Sequence, residues 1–326
     1  MSDRLPVGTV DAVVIGGGAA GLNGALMLAR SRRSVVVVDS GTPRNAPADG
    51  VHGLLGLDGV PPADLLRTGR EEVRRYGGLV VTGEVASAVP AAGDEVRFTV
   101  TLADGRVLSA RRLLVATGLR DVLPDVRGLA EHWGRGVVHC PYCHGWEVRD
   151  EPIGVLATGQ ASVHHALLFR QLSDDLVYFT RGTDLDDDTR ARFAARGIRV
   201  VDTDVAEVVA ADGGGVAGVR LTDGTFVPRR ALAVATSMWA RTEGLEGLGL
   251  PLEDLPGGMG RRFVAGAAGT TDVPGVCVAG NATDPSAQVG ASAAAGALAG
   301  ARLNADLVTA DTEAALAAAR HGLVGV

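Results

Sequence analysis

Val10-Asp11-Ala12-Val13-Val14-Ile15-Gly16-Gly17-Gly18-Ala19-Ala20-Gly21 is the stretch that decides the fold. Val10 to Ile15 is an apolar run of strand length, and it stops at a G-x-G-x-x-G turn. Leu22 to Arg30 then spaces its apolar residues as a helix does, and Ser34 to Asp39 is a second buried-strand run. Strand, glycine turn, helix and strand make a βαβ unit, which predicts a parallel sheet. Gly16 permits the tight turn, Gly18 lets backbone approach a pyrophosphate, and Gly21 lets helix and strand pack closely. The helix N-terminus faces the negative charge. Asp39 stands 18 residues after Gly21, at a strand end, where a carboxylate accepts bonds from an adenosine ribose.

Two later segments extend this site. Arg112 to Gly118 reads as a strand ending in Ala116-Thr117-Gly118, and Val276 to Asn281 as one ending in Gly280-Asn281, with a small-residue helix from about Gln288. The glycine pattern does not itself separate FAD from NAD. A distant segment returning to complete the first domain suits a long cofactor such as FAD. Between these segments, Pro152 to Ser162 begins another strand–turn–helix, and Leu176 to Arg181 is its next strand. In register, that turn reads Ala157-x-Gly159-x-x-Ser162, no acid ends the following strand, and Arg181 has no basic neighbour. The Rossmann-like fold is expected to persist there, while the eroded turn counts against NADPH. His164 and His165, in the following helix, read as surface or packing residues.

Cys140-Pro141-Tyr142-Cys143-His144-Gly145 lies between the two nucleotide-like units. Thiols two residues apart can close a small-ring disulfide, a two-electron store. Cys140 begins the turn, where a helix N-terminus lowers a thiol pKa, and His144 can give or take protons near neutral pH. His139 flanks the other side and could assist. Zinc is the competing reading, but a closed site wants four ligands and no second Cys-x-x-Cys occurs, so no metal is expected. Cys277 sits in an apolar run and reads as packing.

Composition bounds the rest. The 326 residues suffice for two domains, and three Cys are too few for a disulfide-stapled secreted scaffold. All 31 basic residues are Arg, so Schiff-base and Lys general-base chemistry are excluded. A net charge of −7 and few aromatics argue against nucleic acid. Residues 10–29 lack the basic flank of a signal peptide, and Val289 to Ala301 is too short to span a bilayer. The expectation is a cytoplasmic protein without membrane partners.

In its order of parts the chain resembles the low-molecular-weight thioredoxin reductase family along nearly all its length. That family normally carries Gly-Asp where Gly280-Asn281 stands, and Asp where His144 follows the Cys pair. Cys-Pro-Tyr-Cys-His-Gly-Trp-Glu, with Pro43-Arg44-Asn45 and His52-Gly53, resembles instead the dithiol oxidases that close disulfides in natural products such as holomycin and gliotoxin. The resemblance implies an α/β fold with two Rossmann-like, three-layer nucleotide-binding domains. FAD would be held by 1–115 with 265–326, and 116–264 would form an NADPH-like domain carrying the pair. It implies homodimers that oxidise a small-molecule dithiol and pass electrons to oxygen, as in antibiotic biosynthesis. The expected cofactor contacts are Gly16, Gly18, Ala20, Gly21 and Asp39, then Arg44, Asn45, His52 and Val85. Ala116, Gly118, Gly280, Asn281, Gln288 and Val289 complete them. Cys140 is expected as the sulfur attacked by substrate, Cys143 as the flavin-proximal sulfur, and His144 as the proton carrier. The competing functions are an NADPH-dependent thioredoxin or disulfide reductase, and a redox-sensing flavoprotein without turnover.

Overall fold

The computed structural model describes residues 5–93 and 97–323, so residues 1–4, 94–96 and 324–326 of the expected outer domain lie outside it. Its α-helices are α1 (Ala19–Arg30), α2 (Pro62–Arg75), α3 (Pro141–His144), α4 (Ala161–Phe169), α5 (Asp187–Ala195) and α6 (Val289–Leu323). The predicted βαβ unit is present. Strand Thr9–Ile15 pairs in parallel with Val35–Asp39 on one side and Val107–Val115 on the other, with Val13 opposite both Val36 and Leu113. Leu79–Thr82 extends the parallel part beyond Val35–Asp39. The antiparallel strands Val85–Pro90 and Phe98–Leu102 extend the other edge.

Val107–Val115 divides one of its edges. Its first half pairs with Phe98–Leu102, and its second half, Leu113 to Val115, takes Val276–Val278 in parallel. A segment more than 160 residues away in sequence is thus stitched into the first sheet. Helices α1 and α6 cover one face through Ala20, Leu22, Leu28, Ala299 and Leu303. On the other face Phe98, Val100, Leu102 and Leu108 pack with Ala240, Leu245, Leu248 and Phe263, four residues that lie inside the 116–264 stretch.

The second sheet is parallel throughout, in the order Arg199–Val201, Leu176–Phe179, Ile153–Leu156, Ala231–Val234, Val137–Val138. Such strands are buried on both faces and need an apolar run. Helices α4 and α5 cover one face with Phe169 and Phe193, and an antiparallel three-stranded sheet covers the other with Val208, Val219 and Val227. The chain crosses between the sheets twice. The crossings, Leu119–Val122 and Ser237–Ala240, pair antiparallel with each other, and Gly260–Phe263 and Leu252–Leu255 complete that small sheet. Among the described residues no helix is long and apolar enough to cross a membrane.

The contact between α1 and α6 is made backbone to backbone. A Cβ at Gly296 would stand 1.9 Å from the Ala20 carbonyl oxygen, and one at Gly300 would stand 2.5 Å from that of Gly24. Gly290, in the same helix, has only Leu54 Cδ1 nearby, at 3.6 Å. Gly296→Ala should therefore push the helices apart and cost about 1–3 kcal/mol, with loss of cofactor because α1 carries the glycine turn. Gly290→Ala should be neutral or stabilising, by up to about 1 kcal/mol of helix propensity. Thermal melts with flavin content measured in parallel decide this; equal effects of the two substitutions would contradict it.

Candidate active site

Parallel strands place the site at their carboxyl ends. Thr9–Ile15 ends at Gly16, Val107–Val115 at Ala116, and Val276–Val278 at Ala279, and these three residues line one cavity of about 460 Å³. Gly16 has φ +106°, and a Cβ there would lie 2.3 Å from the Ala116 carbonyl oxygen, so the turn requires glycine. Gly18 has nothing within 4 Å of its Cβ position and opens on the cavity. A Cβ at Gly21 would strike the Gly16 carbonyl oxygen at 1.8 Å, which is the expected helix–strand packing. Asp39 lines the cavity, where its carboxylate accepts from Arg70 Nη2 at 2.8 Å and from the Gly41 N–H at 3.2 Å.

The cavity continues to the cysteine pair. Cys140 and Cys143 are disulfide-bonded, with Cα atoms 5.2 Å apart. Cys140 is the N-cap of α3, Pro141 opens the helix, and Cys140 Sγ accepts the Cys143 N–H at 3.1 Å. Cys140, Tyr142, Cys143 and His144 all line the cavity. Both ring nitrogens of His144 are buried with no hydrogen-bond partner among the described residues, and burial pushes its pKa below the ordinary value despite the nearby Glu147 carboxylate. Burial thereby favours its neutral form, which can accept a proton. Among the described residues no group of three or more His, Cys, Asp or Glu is placed to hold a metal.

Of the expected cofactor contacts, Ala20, Arg44, Asn45, Ala116, Gly118, Asn281, Gln288 and Val289 line this same cavity. Gly280 lies just behind it at φ +78°, and a Cβ there would meet Ala20 Cβ at 2.7 Å. His52 and Val85 stand outside. His52 lies 3.5 Å from both Asp58 and Glu147, and Val85 begins a strand opposite Leu102. Asn281 has a task that an Asp could not perform. Its Nδ2 donates to the Asp284 and Ala287 carbonyls at 3.0 and 2.8 Å, bracing a loop whose Pro285, Ser286 and Ala287 line the cavity. The open glycine turn, the carboxylate at the strand end and the unpartnered His144 all fit FAD.

The second glycine-like turn is closed on itself. Ser162 Oγ accepts the Thr158 N–H at 2.9 Å, and Arg181 Nη1 donates to the Ala157 carbonyl at 2.9 Å. Arg181, at φ +48°, is thus folded back onto the turn rather than held out toward a 2′-phosphate.

Sequence reasoning placed His165 on a helix but not at the cavity. It is only 7% exposed, lines the cavity wall, and bonds the His139 carbonyl through Nε2. Asp121 and Thr236, joined by a 2.6 Å hydrogen bond across 115 positions, had no local signal at all. Burial pushes the His165 pKa down from 6.5 to about 4. An unfolded His takes up a proton below 6.5 while the folded one stays neutral, so its stabilisation is full above pH 6.5 and drains toward pH 4. The loss is about 1.4 kcal/mol per pH unit. In denaturant unfolding, the gap between wild type and His165→Gln should narrow at about that rate per pH unit between pH 6.5 and 4. A gap independent of pH would contradict the burial argument.

Residues 10–301 match the pyridine nucleotide-disulphide oxidoreductase family. The protein named thioredoxin reductase tcpT from Claviceps purpurea is 38% identical over 258 residues, covering 76% of this chain and 79% of its own length. Thioredoxin reductase sirT from Leptosphaeria maculans is 33% identical over 72% of this chain and 78% of its own. The crystal structure of HlmI superposes with a TM-score of 0.91 at 45% identity, covering 98% of this chain and 99% of that one. With the cavity, the disulfide and the matched length together, the chain belongs to the pyridine nucleotide-disulphide oxidoreductase family, is thioredoxin reductase-like, and is a FAD-dependent thiol–disulfide oxidoreductase.

Proposed function

We propose that this enzyme is a dithiol oxidase: it closes an intramolecular disulfide in a small dithiol, and oxygen is the final acceptor. One observation carries the reading. The Cys pair and the glycine turn share a cavity, while the turn that would seat a nicotinamide dinucleotide spends its polar groups on Ser162 and Arg181. The motif from Cys140 to Glu147 and its resemblance to natural-product dithiol oxidases support the same direction of flow.

The chain's own residues account for the thiol chemistry. A substrate thiol gives its proton to an imidazole such as His144, and the thiolate attacks Cys140 Sγ. The Cys140–Cys143 bond breaks, Cys143 leaves as thiolate, and a mixed disulfide joins substrate to Cys140. The second substrate thiolate then displaces Cys140, and the product disulfide departs with two electrons left on the pair. FAD, when bound, supplies the acceptor for those two electrons, and oxygen leaves as hydrogen peroxide. Tyr142, 67% exposed between the two cysteines, offers an aromatic surface beside the disulfide. We assign FAD to residues 1–115 with 265–326, and the redox pair to 116–264.

Anaerobic mixing tests this directly. A small dithiol should bleach the yellow holoenzyme faster than NADPH does, and air should restore the colour with peroxide formed. Cys140→Ser and Cys143→Ser should each abolish bleaching by dithiol while dithionite still bleaches. Faster reduction by NADPH, with reduced flavin that survives in air, would make the enzyme a reductase instead.

A further inference from the structure

A half-buried chain of polar groups runs from the first domain to the residue before Cys140. Arg44 donates through Nε and Nη2 to the two oxygens of Asp121, each at 2.7 Å. The Asp121 side chain is 7% exposed. Burial works against its ionisation, but the Arg44 bonds and charge, with the Thr236 hydroxyl, hold its pKa below the usual carboxylate value. Thr236, itself 4% exposed, lies with Oγ1 2.6 Å from Asp121 Oδ1 and 3.3 Å from His139 Nδ1. His139 Nδ1 is also 3.0 Å from the Val234 carbonyl.

Hydrogen-bond arithmetic assigns the protons. An ionised carboxylate only accepts, so the Thr236 hydroxyl proton points to Asp121. The hydroxyl oxygen then presents lone pairs to His139, as does the Val234 carbonyl. A proton on Nδ1 serves two of its three contacts, the Val234 carbonyl at 3.0 Å and Thr236 Oγ1 at 3.3 Å, whereas a bare Nδ1 would serve one, the Thr236 N–H that points at it from 3.2 Å. The lone pair then sits on Nε2, the nitrogen this network leaves unused, in a residue that lines the cavity and directly precedes Cys140 in sequence.

We propose that Thr236 and Asp121, clamped by Arg44, are positioning residues that hold His139 as a base beside Cys140. This rests on the thiol chemistry proposed above and completes its proton count. A dithiol closing to a disulfide releases two protons, and the pair is flanked by two imidazoles, His139 before Cys140 and His144 after Cys143. When Nε2 takes a thiol proton, the imidazolium charge is met through Nδ1–H, the Thr236 hydroxyl and the Asp121 carboxylate, as an orienting acid does in a hydrolase triad. The charged and titratable groups facing His139 are Arg44 from the first domain, Asp121 from the crossing strand Leu119–Val122, His144 from α3 and His165 from α4. Sequence alone gave no sign of the relay, because its members come from four separate segments.

The test is the pH dependence of iodoacetamide alkylation at Cys140 in dithiothreitol-reduced, FAD-containing enzyme, followed by mass spectrometry of the peptide. Thr236→Val and Asp121→Asn should each raise the apparent thiol pKa by about half a unit or more, because the imidazolium partner of the thiolate is weakened. Thr236→Ser should restore the wild-type profile. His139→Gln should shift the profile as Thr236→Val does, which keeps the test open if the valine variant does not fold. Profiles that superimpose on wild type in Asp121→Asn and His139→Gln would overturn the proposal. Alkylation needs neither substrate nor acceptor, so a shifted profile in an enzyme that fails to oxidise dithiols would keep the relay and reject the oxidase.

Discussion

Backbone touches backbone where α1 crosses α6, and the active site depends on that contact. With Ala20 and Gly24 carbonyls facing Gly296 and Gly300, no side chain separates the helices. Helix α6 can then lie against α1, and Val276–Val278, which precedes it, can pair with Val107–Val115. The loop braced by Asn281 consequently arrives at the same strand ends as the first glycine turn. A β-carbon at the crossing would separate the two halves of the cofactor cavity before it touched any reacting group.

The parts legible in the sequence were those whose physics is local. The turn from Gly16 to Gly21 specifies its own geometry, since each glycine meets a contact or an opening within a few residues or at a neighbouring strand end. Cys140 and Cys143 likewise sit within one turn of helix, and their spacing announces a disulfide. Arg44, Asp121, Thr236 and His139 were not legible as a group, because nothing in a linear pattern pairs positions 44, 121 and 236. His52 and Val85 are the reverse case. Both were expected as cofactor contacts, His52 within a resembling motif, but they stand outside the cavity, one between two carboxylates and the other at the start of an edge strand. Asn281 looked like a substitution for a cofactor-binding acid, and its amide serves instead to hold the loop beside the cofactor cavity.

The two nucleotide-like units show how one architecture carries two outcomes. Both begin with a strand, a turn and a helix. In the first, Gly18 leaves open space at the helix N-terminus, and Asp39 waits at the next strand end. In the second, Ser162 takes the turn's amide and Arg181 takes its carbonyl, so groups that could meet a phosphate are already spent. Replacing a glycine by a residue with a hydroxyl both fills space and supplies a competing acceptor. The second unit keeps its parallel sheet because that depends on buried runs such as Leu176–Phe179, which the turn does not affect.

The central claim is that the disulfide and FAD exchange electrons as one unit within one cavity. Counting electrons tests it most directly. In an anaerobic titration of the oxidised holoenzyme with a small dithiol, full reduction should consume two equivalents per FAD: one for the Cys140–Cys143 disulfide and one for the flavin. Both cysteines should then be open to alkylation. Complete bleaching after a single equivalent, with the disulfide still closed, would show that electrons bypass the pair and would contradict the account.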